Sequence, residues 1–136
     1  MTKIIFGIVI VVSLFQISCD KTDTIYTSVK GSWRCEEFNR LTGISVYMVD
    51  IDRKRSDTTQ YLLSNFHNQN SNESIEFVYA QLIDTSLVIN SQSIAGIVIK
   101  SGVGDVSEDF TVIEFDYSIS DGINDIEVKA AYSRPD

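Results

Sequence analysis

The chain has 136 residues, enough for one hydrophobic core and too few for two. Its 19 acidic residues outnumber 11 basic ones for a net charge of -8, which argues against nucleic acid as a partner and against docking on an anionic lipid surface. With one histidine and two cysteines, the chain lacks the ligands for a Cys/His zinc site and for a multi-bridge disulfide framework.

Residues 1–18 have the form of a secretory leader. Lys3 is the only charge, Ile4 to Phe15 is almost wholly apolar, and Ser18 is a small residue before a cut. The apolar run is shorter than the roughly 20 residues a membrane span needs. Cys19 follows directly. From the residues alone it is either a modified cysteine or half of a disulfide. Ile17, Ser18 and Cys19 together resemble the lipobox of bacterial lipoproteins. The resemblance implies that residues 1–18 are removed as a lipoprotein signal peptide and that Cys19 becomes the first residue. It also implies that Cys19 carries fatty acyl chains such as palmitate, holding the protein in the cell envelope, with the outer membrane expected. A single acyl chain anchors only marginally, and the several chains of such lipoproteins anchor permanently. Cys35 is then left without a partner and is expected as a small buried core residue.

Residues 19–30 are polar and without period, and are expected to be a flexible tether from the lipidated cysteine. From residue 31 to residue 136 the chain reads as short strands between turns. Strands are expected over Gly31–Phe38, Ile44–Ile51, Thr58–Leu63, Ile75–Ile83, Ser86–Asn90, Ile94–Lys100, Phe110–Ile119 and Asn124–Arg134. Ser64 to Ser74 is an asparagine-rich loop, and Ser101 to Asp105, with two glycines, reads as a turn. About eight strands with one apolar face each, and no helical period, predict an all-β fold. It is expected to be an antiparallel up-and-down barrel, with a β-sandwich as the alternative. One open sheet would leave its apolar face wet and its edges sticky, and closure removes both problems.

Gly31-Ser32-Trp33 opens the first strand and Ser133-Arg134 closes the last. This pairing resembles lipocalin-like (calycin) barrels, and the whole chain resembles small lipocalin-like lipoproteins of bacterial envelopes. The resemblance implies that Trp33 plugs one barrel end and that Arg134 lies across its indole as a cation–π lid.

Catalytic patterns are lacking. His67, the single histidine, falls in the asparagine-rich loop, no serine sits in a Gly-x-Ser-x-Gly elbow, and no glycine-rich loop opens a helix. Glu36 and Glu37 point to opposite faces of a strand. Alternation from Trp33 and Cys35 turns Glu37 inward, either to accept hydrogen bonds inside the barrel or, the reading preferred here, to sit at its rim. Asp121, Asn124 and Asp125 read as turn residues rather than a calcium site. No enzyme activity, metal or cofactor is therefore expected. The aromatic residues Tyr47, Tyr61, Phe77, Tyr79, Phe115 and Tyr117 are the candidate lining of a ligand site, or else simply the core. An eight-stranded barrel has just enough interior to be filled by side chains or to hold one small ligand. The functional expectation is a membrane-anchored barrel binding a small, partly apolar ligand. The alternative is a filled barrel that acts as an interaction or structural module for an envelope protein.

Overall fold

The computed structural model describes residues 23–69 and 76–136. The leader, Cys19 and the first part of the expected tether lie outside the described residues. Among the described residues nine strands form: β1 Gly31–Asn39, β2 Gly43–Arg53, β3 Gln60–Ser64, β4 Phe77–Ile83, β5 Ser86–Ile89, β6 Gln92–Ile94, β7 Ile97–Val106, β8 Val112–Ser120 and β9 Asp125–Ser133. A short 3₁₀ turn, Phe66–Asn68, follows β3. Among the described residues, no helix is long and apolar enough to cross a membrane.

Every pairing is antiparallel. Strands β1 to β5 pair in sequence, β5 pairs with β7, β7 with β8, β8 with β9, and β9 returns to β1. The result is a closed eight-stranded up-and-down barrel, with β6 added beside β5 on the first residues of β7. The sandwich alternative falls, because one continuous ladder runs round the whole wall.

Alternation builds the core. Trp33, Cys35, Glu37 and Asn39 of β1 face inward while Ser32, Arg34, Glu36 and Phe38 face outward. Ile113, Phe115, Tyr117 and Ile119 of β8 and Val128, Ala130 and Tyr132 of β9 fill the same interior. At about 25 cal/mol per Å² of apolar surface, these rings and aliphatic side chains supply most of the driving force for closure.

Two expectations are corrected by packing. Residues 101–105 are not a turn but the middle of β7. A side chain on Gly104 would meet the Phe115 ring at 2.4 Å, and one on Gly102 would meet the Tyr117 Cβ at 2.9 Å. The glycines make room for neighbouring rings, and the strand runs on through them past a bulge between Ile99 and Ser101. Residues 26–30 of the expected 19–30 tether are also held on the barrel. Val29 is fully buried, and Tyr26 stacks on Arg134. The stretch from Tyr26 to Lys30 is thus docked on the barrel.

Candidate functional site

The barrel has two differently built ends. β1 starts at one and finishes at the other. At the first, Trp33 is fully buried and donates from its indole N–H to the Val29 carbonyl at 2.8 Å. The Arg134 guanidinium lies 3.8 Å from the Trp33 ring centroid and 4.2 Å from that of Tyr26. It donates to the carbonyls of Phe110, Lys30 and Ser28 at 2.9, 3.1 and 2.6 Å. Gly31 sits at a φ of +124°, where a Cβ would meet the guanidinium at 2.9 Å. Each of these groups serves the seal and leaves nothing for a ligand to hold.

The second end holds the buried charge. Glu37 is 3% exposed, so it lies inside the barrel and not at its rim. Pairing of Asn39 with Val128 and of Val128 with Tyr117 brings β8 level with the end of β1. One carboxylate oxygen, Oε2, accepts from the Tyr117 hydroxyl at 2.5 Å and from the Tyr47 hydroxyl. The other, Oε1, lies 2.9 Å from His67 Nδ1, which is also 2.8 Å from the Tyr117 oxygen.

The proton positions follow from this geometry. Each tyrosine has one hydroxyl proton, and both are committed to Oε2, so His67 must donate from Nδ1. Burial raises the Glu37 pKa, but hydrogen bonds from His67, Tyr117 and Tyr47 and the charge of His67 outweigh it. The carboxyl is held below the ordinary glutamate value and stays ionised. Burial, and then the charge of neighbouring groups, pushes both hydroxyls well up, so they remain proton donors.

Phe66 precedes His67 on the 3₁₀ turn and inserts beside this cluster. Its ring lies 4.7 Å from Tyr117 and 6.1 Å from Phe115, centroid to centroid. Asn65, His67 and Asn68 all have positive φ, at 58°, 53° and 54°. Three non-glycine residues in the left-handed region within four positions are a strained way to close a barrel end.

Cys35 lies deeper, with its thiol pushed up to about 12, chiefly by burial. It is no nucleophile at neutral pH. The Tyr132 hydroxyl is fully buried, with the Cys35 thiol as its polar neighbour. Among the described residues, no group of three or more His, Cys, Asp and Glu side chains is placed to hold a metal ion.

The six aromatic candidates divide. Tyr47, Phe115 and Tyr117 gather at the Glu37 end. Tyr61 is buried towards the other end, where Arg53 donates to its hydroxyl at 3.0 Å. Phe77 and Tyr79 do not line the interior. They face outward, 43% and 50% exposed, while Val78 and Ala80 face in. The cause is volume: Tyr61 pairs with Ala80 and Leu63 with Val78, so the larger inward residues of β3 need small partners on β4. Outside, Tyr79 carries the Lys54 ammonium 5.5 Å from its ring centroid. Asp121 accepts from the backbone N–H groups of Ile123 and Asn124, which makes it a turn residue.

Neither a protein-family model nor a curated protein matches the chain. Among solved structures, the chain is similar to a redesigned β-barrel, with a TM-score of 0.55 and 12% identity over 79% of this chain and 92% of that one. At that identity the likeness shows the fold class alone, a closed antiparallel β-barrel.

Proposed function

We propose that this chain is a lipid-anchored envelope protein, held through Cys19 in the outer membrane after loss of residues 1–18, with a lipocalin-like barrel. On this reading it is a binding module and not an enzyme. It takes a small, partly apolar ligand at the end closed by the Phe66–Asn68 turn. One observation carries the reading: Glu37 is buried and ionised among aromatic rings. A buried ion pair seldom adds stability over a well-packed apolar core, because desolvation offsets the attraction. Perturbed buried charges concentrate at functional sites. The leader and Cys19 support the anchoring, and the protonated hydroxyls and thiol around Glu37 support binding over catalysis.

The test is native mass spectrometry of the protein purified from its own membranes. The expected result is lipid mass on Cys19 and, on the folded protein, a further reproducible adduct of defined mass. A lipid-free Cys19 overturns the anchoring, and the absence of an adduct overturns the ligand site.

A second reading has its own observation. Phe38, Leu41, Ile44, Val46 and Met48 are exposed together on the outside of the β1–β2 hairpin. A filled barrel using that face against an envelope protein would give a bare native mass.

A further inference from the structure

The turn that closes the Glu37 end fills it as a ligand would. Phe66 supplies an aromatic ring against Phe115 and Tyr117, and His67 supplies a nitrogen donor to the carboxylate. The two groups are neighbours on a strained segment. The backbone bonds of the turn close on the turn itself, Asn68 N–H to Asn65 O at 3.0 Å and Gln69 N–H to Phe66 O at 3.3 Å. β3, from which it hangs, is only five residues long. Asn65 Nδ2 also donates to the Met48 carbonyl of β2 at 2.8 Å. The turn can therefore leave as a unit by giving up side-chain bonds, that one and those of His67, without breaking the barrel ladder, and leaving relieves its backbone strain.

What it uncovers is specific. Glu37 would remain with two tyrosine hydroxyls on Oε2 and an open Oε1, walled by Phe115 and Tyr117. The buried Tyr132 hydroxyl, beside the Cys35 thiol, lies within electrostatic reach of the same carboxylate. The charge selects against carboxylates, including fatty acids. The rings select for a flat apolar body.

Resting on the binding-module reading above, we propose that the ligand class is a small aromatic amine in its protonated form. It displaces the Phe66–His67 pair, setting its ring where Phe66 sits and its ammonium on Glu37. Charge-assisted hydrogen bonds to a buried carboxylate are the strong kind and are lost wholesale when either charge is removed.

The test uses the full-length protein in mild detergent with four probes: 2-phenylethylamine, 2-phenylethanol, phenylacetate and laurate. The amine is expected to bind at least about tenfold more tightly than the alcohol, the equivalent of one charge-assisted bond. Hydrogen exchange of the 65–69 amides is expected to rise on binding. Phe66→Ala, which removes the internal competitor, is expected to tighten the amine, and Glu37→Gln to weaken it about tenfold with Trp33 fluorescence unchanged. If the alcohol, phenylacetate or laurate binds as tightly as the amine, the amine class is overturned and the ligand site stands. If no probe binds either the natural chain or Phe66→Ala, this inference is overturned. The ligand site itself then falls only if the native mass is also bare. Should Glu37→Gln fail to fold, the amine-to-alcohol ratio in the natural chain and in Phe66→Ala decides.

Discussion

The two ends of this barrel are closed by opposite means. At the Trp33 end, the sealing groups have fixed backbone partners: indole to Val29, guanidinium to Phe110, Lys30 and Ser28. At the Glu37 end, a charge is buried and satisfied only by side chains, one of them carried on a turn with three left-handed residues. Backbone partners hold a seal because they move only with the wall itself. Side-chain partners on a separate turn can be exchanged for a ligand. The difference teaches where this molecule can open.

The largest effect should come from breaking the sealed end. Trp33→Ala removes a fully buried indole and is expected to cost about 4 kcal/mol, read as a fall in the urea midpoint. Phe66→Ala deletes a ring just as buried, yet the turn carrying it can open, so that the gap fills with water rather than staying empty. About 3 kcal/mol is expected by the same measurement, at the low end of the usual range. A loss equal to that of Trp33→Ala would erase the contrast between the ends. Arg134→Ala leaves three carbonyls without their donor and uncovers the indole, but water can reach the site. About 1–2 kcal/mol is expected, together with a change in Trp33 emission. If thermal unfolding and emission both stay unchanged, there is no lid.

A pH titration sharpens the contrast further. Glu37 has its pKa lowered in the folded state, so its contribution is present above the unfolded glutamate value and fades as the pH falls through the lower, folded one. Protonation removes the acceptor that His67, Tyr47 and Tyr117 share, with Cys35 and Tyr132 the remaining titratable groups close by. The turn at residues 65–69 should therefore loosen in acid before the Trp33 end does. Hydrogen exchange at the two ends, followed below about pH 5, reads this. Equal loosening at both ends would count against it.

Much of the barrel was legible because period-2 alternation is a local signal. β1, β2, β8 and β9 lie where the pattern places them, to within two residues at either end. Residues 101–105 misled because glycine pairs mark turns as well as places where a ring crowds the backbone. Only the positions of Phe115 and Tyr117 across the sheet separate the two cases. The inward face of β4 misled because both of its faces are apolar, and the choice depends on the sizes of Tyr61 and Leu63 on the next strand. Glu37 was half legible, since alternation turned it inward and allowed it hydrogen bonds there, but could neither choose the interior over the rim nor name the partners. Nothing local to His67 announces a carboxylate 30 positions earlier, and its role was out of reach of any single-sequence pattern.

The Arg134 seal has a consequence for how the molecule is made. Its hydrogen bond to Ser28 joins residues 106 positions apart. Contacts of such separation form late, because the entropy of closing the loop is lost before any packing repays it. Until β9 arrives, β1 shows a bare edge and the indole of Trp33 has no cover. The newborn chain therefore passes through an interval in which any extended neighbour can take the place of β9. Speed of assembly, more than the depth of the final energy well, decides how much of this protein escapes aggregation.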